Sequence, residues 1–93
     1  MAADKKSPVP KTIAWRRTGD EAVILDLRTS EYYSANGTGT FVWELLAAGR
    51  RPAKIAEALA AEYGIPPAQA AADVAAFIED LSRLKILSPE AAE

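Results

Sequence analysis

Apolar and polar positions along the chain follow two regimes. Between Thr12 and Ala35, β-branched and aromatic residues come in short runs parted by polar breaks. From Gly37 onward, apolar residues recur every three or four positions, the helical period. In the first regime, Thr12–Arg16 alternates enough for a strand, with Ile13 and Trp15 on the face opposite Ala14. Thr18-Gly19-Asp20-Glu21 has the composition of a turn. Ala22–Leu27 reads as a second strand. Val23, Ile24, Leu25 and Leu27 are all apolar, which suits a central strand covered on at least one face. Arg28, Thr29 and Ser30 then form a polar break of hairpin length, and Asp26 just before it can accept hydrogen bonds from turn N–H groups. Glu31–Ala35 is the third strand of an antiparallel meander, its adjacent Tyr32 and Tyr33 facing opposite sides.

Asn36 has the side chain of an N-cap, so a first helix is expected from about Gly37 to Ala48. Gly37 and Gly39 weaken its first turn, and packing must hold it. Phe41, Val42, Leu45 and Leu46 make its apolar stripe, while Trp43 points elsewhere and needs a contact of its own. Gly49 is a stop signal. Arg50-Arg51-Pro52 opens a second helix with proline at the first helical position. Its stripe is Ile55, Leu59 and Tyr63 with Ala58, and Gly64 ends it. Pro66-Pro67 starts a third, Ala-rich helix running to about Leu84. Val74, Ile78 and Leu81 form its core stripe. Asp73, Ala76, Phe77, Asp80 and Leu84 form a mixed face, less apolar than a core requires. Ile86 and Leu87 add a last packed contact. The expected fold is therefore α+β, a three-stranded antiparallel sheet followed by three helices (βββααα), similar in its elements to a winged helix-turn-helix.

Length bounds this to one domain: 93 residues, 49% hydrophobic and 26% charged, can bury one modest core. Residues 1–11, with Ser7, Pro8, Pro10 and several charges, are expected to be a flexible tail, 12–87 the domain and 88–93 a second tail. There is no cysteine, hence no disulfide and no thiolate chemistry, which fits a reducing compartment. There is no histidine, which removes the commonest general base and metal ligand together. Net charge is −2, so bulk electrostatics give no reason to expect nucleic acid. No apolar run approaches membrane-spanning length, and the two lysines near the N-terminus are not followed by a signal-peptide core. A cytoplasmic protein, without a membrane partner, is expected.

No catalytic constellation emerges. Gly37-Thr38-Gly39 lacks the lysine and the spacing of a phosphate loop. The pairs Glu79 with Asp80 and Glu57 with Glu62 sit at exposed helix positions, and the acids do not gather on a loop that could cage a cation. The expectation is no enzyme, no cofactor and no metal. A winged-helix DNA-binding regulator is the alternative. It would rely on Arg50, Arg51 and Lys54, and its binding would fall steeply with salt. Against it, the third helix offers Asp73, Glu79 and Asp80 where a recognition helix needs basic and amide side chains. A third option is an adaptor docking through the first helix around Trp43.

One combination of motifs is more specific than any single one. Ile24-Leu25-Asp26-Leu27 is followed by Thr29-Ser30-Glu31-Tyr32-Tyr33, then Asn36-Gly37-Thr38-Gly39 before Val42-Trp43-Glu44-Leu45-Leu46. Further on come Ile55-Ala56-Glu57-Ala58-Leu59, Glu62-Tyr63, Ala72-Asp73-Val74, Phe77-Ile78 and Leu81. In this order and spacing, Val23–Leu87 resembles the PqqD family, also called the RiPP recognition element. Where PQQ-pathway members carry Cys-Asp-Gly after the first helix, this chain has Ala47-Ala48-Gly49. The compact, free-standing form and the Asp-to-Tyr-Tyr hairpin are more similar to the leader-recognition proteins of lasso-peptide clusters.

The resemblance implies a non-catalytic module that binds the leader segment of a ribosomally made precursor peptide. It presents that leader to a separate modifying enzyme, leader peptidase or cyclase. The leader adds as an antiparallel strand to the third strand, in a groove shared with the third helix. The site would comprise Glu31, Tyr32, Tyr33, Ser34 and Ala35 on the strand, and Asp73, Ala76, Phe77, Asp80 and Leu84 on the helix. Physical reasoning reaches the same edge separately. A meander has two edges, and unpaired N–H and C=O groups on one of them template a partner strand. The same edge opens a route to a homodimer by strand or domain swap. Asp73 and Asp80 could pair with leader lysines or arginines. Backbone hydrogen bonds are worth about 0.5–1.5 kcal/mol each, and ordering a disordered leader costs about 2–5 kcal/mol. One or two leader side chains must therefore be buried against Phe77, Leu84 and a tyrosine.

Overall fold

The computed structural model describes residues 9–87. Its elements are β1 (Ile13–Thr18), β2 (Glu21–Asp26), β3 (Glu31–Asn36), α1 (Thr38–Ala47), α2 (Pro52–Tyr63) and α3 (Pro67–Arg83). The expected tails over 1–8 and 88–93 lie outside the described residues. Within 9–11, Val9 packs on the core and the Pro10 carbonyl accepts from the Ile13 N–H at 3.0 Å.

The sheet is an antiparallel meander in the order β1-β2-β3, so the apolar β2 is central and β3 is an edge. Ala22 stands opposite Ala35, Ile24 opposite Tyr33 and Asp26 opposite Glu31. On the other side Trp15 stands opposite Ile24. Directly opposed residues share a face. Ile13, Trp15, Ala22, Ile24, Tyr33 and Ala35 therefore look toward the helices, and Tyr32 and Ser34 look away. β1 runs two residues further than its sequence alternation indicated, through exposed Arg17 and Thr18, because its ladder with β2 continues to Glu21.

The strand-to-helix corner differs from expectation. Asn36 is not the N-cap; it ends β3, in register with Glu21, and Gly37 takes the cap position without a side-chain cap bond. The reason is the corner itself, which needs φ 54°, ψ −121° at residue 37, a conformation open to glycine. α1 is instead fastened by Thr40, whose buried hydroxyl donates to the Ala35 carbonyl at 2.8 Å.

Trp43 finds the contact it needed, and that overturns the adaptor reading. It is 0% exposed and meets Trp15 of β1 edge-on, ring centroids 5.7 Å apart. α1 is covered by the sheet on one side and α2 on the other. It therefore buries Thr40, Val42, Trp43 and Leu46, while Phe41 and Leu45 are only partly covered. α2 contributes Ile55, Ala56 and Leu59, and α3 contributes Ala70, Val74, Ile78 and Leu81. Tyr63, expected on the α2 core stripe, is 44% exposed and meets Phe41 edge-on. Ile86 and Leu87 close the core as expected.

Candidate peptide-binding site

Which backbone groups face outward on β3 follows from one hydrogen bond. The Leu27 N–H donates to the Thr12 carbonyl at 2.8 Å, so this opposed pair is a hydrogen-bonded one. Antiparallel ladders alternate, so Leu25 and Val23 also bond toward β1, and Ala22, Ile24 and Asp26 bond toward β3. Their opposites Ala35, Tyr33 and Glu31 thus turn their main-chain groups inward. Tyr32, Ser34 and Asn36 turn theirs to the open edge. The edge offers three N–H donors and three C=O acceptors at a two-residue period, the pattern a guest strand requires.

α3 flanks this edge and is tied to β3 near both ends. At the upper end Gly39 sits between them: a Cβ built there would lie 3.3 Å from the Ala35 Cβ and 3.7 Å from Phe77 Cε1. A side chain there would press on Ala35 by a few tenths of an ångström, so glycine eases the close approach of strand and α1. At the lower end Arg28, in the β2–β3 turn, donates to the Lys85 carbonyl just past α3, at 3.2 Å. β3 from Glu31 to Ala35 covers about 13 Å at strand rise. α3 from Phe77 to its C-cap Leu84 covers about 10 Å at helix rise. Strand and helix therefore run side by side in opposite directions, over a similar span. Between these ties they are not closely packed, since α3 packs chiefly on α2.

Two hollows open along the α3 face. The upper, about 340 Å³, has an apolar floor of Val42, Leu59, Ile65 and Phe77 and a polar rim of Thr38, Gln69 and Asp73, with Tyr63 at its side. The lower, about 410 Å³, is lined by Asp80, Arg83 and Leu84. Each can receive one guest side chain, the upper an apolar body with a hydrogen-bonding head.

The structure brings most of the expected residues into this region. Phe77 is half-buried and packs on the core, so it serves as both wall and support. Asp73, Ala76, Asp80 and Leu84 are exposed along α3, and Asp80 forms an ion pair with Arg83. Tyr33 is half-buried on the helix side, and its hydroxyl donates to Glu31 Oε1 at 3.0 Å. That bond to a carboxylate, helped by burial, raises the Tyr33 pKa and keeps the phenol protonated. Tyr32, 72% exposed, and Ser34 point away from α3, so at the groove they offer backbone only.

Sequence reasoning missed Gln69, one turn before Asp73 on the same face. The spacing 69, 73, 77, 80, 84 would have reached it had the stripe been extended toward Pro67. It also missed Arg28. The Asp26 carboxylate accepts from the Arg28 backbone N–H at 2.9 Å, as expected of a turn aspartate. It also holds the guanidinium through Nε at 3.0 Å and Nη2 at 2.8 Å. The Arg28 side-chain bonds keep the Asp26 carboxyl below the ordinary carboxylate range, against the opposing effect of burial.

The model of the family described as coenzyme PQQ synthesis protein D (PqqD) matches residues 21–87, from the first residue of β2 to the last described residue. The chain belongs to the PqqD family. Two solved structures resemble this PqqD-family protein over nearly their whole length. One is TbiB1 in complex with the TbiA(beta) leader peptide: 28% identity, TM-score 0.83, covering 87% of this chain and 94% of that one. The other is lasso peptide synthetase B1 complexed with the leader peptide: 30% identity, TM-score 0.80, covering 87% and 95%. No curated protein matches the chain.

The basic cluster offered for DNA sits at the start of α2 and not on the exposed face of α3. Arg50, Arg51 and Lys54 are exposed at the start of α2, and Lys54 faces Glu57 at 3.8 Å. The exposed side of α3 carries Asp73, Glu79 and Asp80, which phosphates would repel. Among the described residues no group of three or more acids could hold a metal ion, and no helix is long and apolar enough to cross a membrane.

Proposed function

We propose that this protein binds the leader segment of a ribosomally made precursor peptide by strand addition to β3. It delivers that leader to a separate modifying enzyme, leader peptidase or cyclase, in lasso-peptide biosynthesis. The observation that carries the reading is the open edge of Tyr32, Ser34 and Asn36 standing beside a helix face with two hollows. The leader-peptide complexes among similar structures support the same ligand. The protein performs no chemistry of its own and works in the cytoplasm, where precursor peptides leave the ribosome.

Energetics assign the parts. Four to six backbone bonds at about 0.5–1.5 kcal/mol each roughly offset the ordering of a flexible leader at about 2–5 kcal/mol or more. Net affinity then rests on burial of side chains. An antiparallel guest places its N-terminal side by the upper hollow and its C-terminal side by the lower one. Each large apolar side chain fully buried there adds about 1.5–3 kcal/mol. Asp73 on the upper rim favours a guest residue with a hydroxyl, amide or cationic end.

Calorimetric titration with the leader encoded beside this gene tests the reading. Binding in the micromolar range, about −8 kcal/mol, is expected. No heat and no competition at leader concentrations of about 50 times that value would refute it.

A further inference from the structure

Arg28 lies outside the strand edge and outside both hollows, yet it is the residue that joins the two walls of the groove. Its guanidinium bonds both oxygens of Asp26, at 3.0 and 2.8 Å. The same Nη2 reaches the Lys85 carbonyl at 3.2 Å. Asp26 is 2% exposed and sits at the end of the central strand, so one end of this bridge is fixed in the core. The other end is a backbone carbonyl at the point where α3 stops. There Lys85 takes φ 63°, the Lys85 N–H donates to Ser82 and the Ile86 N–H to Leu81. Those bonds hold the backbone of the terminus, and Ile86 and Leu87 are buried in the core. Among the described residues, this is the one hydrogen bond between the β2–β3 turn and the end of α3.

We infer that Arg28 is a positioning residue for the peptide groove: it sets the separation between the Glu31 end of β3 and Leu84 at the lower end of α3. The inference rests on the leader-binding reading. The upper end of the groove is set by packing of Gly39 on Ala35 and Phe77, which needs no such link. At the lower end Ile86 and Leu87 are buried, but Leu84, the apolar side chain left at the groove, is 44% exposed at the C-cap of α3. Loss of the bridge removes the direct tie between the β2–β3 turn and the Lys85 carbonyl, and with it a restraint on the adjoining, exposed Leu84. Arginine suits the role because its planar fork serves a carboxylate and a carbonyl at once; an ammonium is a single point donor.

The test is a binding cycle on the full chain with the leader peptide: wild type, Arg28→Gln, Leu84→Ala and the double variant, with melting curves for each. Arg28→Gln is expected to weaken leader binding about two- to thirtyfold. Because Arg28 acts through the placement of Leu84, the double variant should bind within about twofold of Leu84→Ala alone. A role confined to stability would lower Tm and leave the Kd of folded protein unchanged. Wild-type affinity in folded Arg28→Gln, or fully additive losses in the cycle, would overturn the inference. Should Arg28→Gln not fold, Arg28→Lys answers the question, since it keeps the charge beside Asp26 but not the fork. Weakened binding at an unchanged Tm supports the positioning role, and unchanged binding overturns it. Failure of the wild type itself to bind the leader is a different result, and it would overturn the leader-binding reading.

Discussion

Replacing Ser34 by proline separates the open edge of β3 from everything else in the molecule. The Ser34 N–H points away from β2, so its loss breaks no bond of the existing ladder, which runs through Glu31, Tyr33 and Ala35. Proline is accepted on edge strands where the missing N–H faces outward. Tyr33, the residue before it, is already extended, as a residue preceding proline prefers to be. The fold should survive. A guest strand, however, loses one main-chain bond, about 0.5–1.5 kcal/mol, and keeps a buried carbonyl without a donor, about 1–3 kcal/mol more. The sum, about 1.5–4.5 kcal/mol, weakens leader binding by about one to three orders of magnitude. Ser34→Ala is the control. Its side chain lies on the face away from α3, and Kd should stay within about threefold of wild type. Fluorescence anisotropy with a labelled leader reads both, with circular dichroism to verify folding. Folded Ser34→Pro protein that binds the leader as tightly as wild type would refute strand addition at this edge.

Phe77→Ala removes the floor of the upper hollow and a half-buried core contact; it should cost about 2 kcal/mol in urea denaturation, roughly half a full Phe→Ala truncation, and weaken leader binding at least about tenfold. Gly39→Val drives a branched side chain against Ala35 and Phe77, so a loss of about 1–3 kcal/mol is expected, with reduced leader affinity as the upper end of the groove is wedged apart; an unchanged melting point would show that the close approach is not needed. Stability should also fall in acid. The folded pKa of Asp26 is depressed, so its contribution is present above the unfolded value of about 3.9 and is lost as pH falls through the folded value. Denaturation midpoints measured from pH 6 to pH 2, about the range over which carboxylates titrate, should drop more steeply for wild type than for Arg28→Gln, which lacks the guanidinium that depresses the pKa.

The element order was legible because turn residues and periodicity agree along this chain. Pro52, Pro67 and Gly64 stand at helix boundaries, and the central position of β2 follows from its continuous apolar run. The stripe Val74, Ile78 and Leu81 is core, and the mixed face beside it is solvent-exposed except at Phe77, which packs partly on the core. What was not legible depended on partners distant in sequence. Trp43 lies off the α1 stripe, and its place in the core is made by Trp15, 28 positions earlier (43 − 15). Asn36 has a capping side chain, but the tight corner at Gly37 lets the ladder claim its backbone first. The groove was half legible. Its strand edge and helix face could be named, but the α1 and α2 residues that close the upper hollow, and Arg28 at the lower end, meet α3 only in the folded chain.

Residue-resolved amide hydrogen exchange, with and without saturating leader peptide, bears on the central claim most directly. Strand addition at β3 predicts slowed exchange at Tyr32, Ser34 and Asn36, with Trp15 and Arg17 on the outer edge of β1 unchanged. Leader binding that leaves the three β3 amides exchanging as fast as in the free protein, with protection appearing instead along β1, would contradict it.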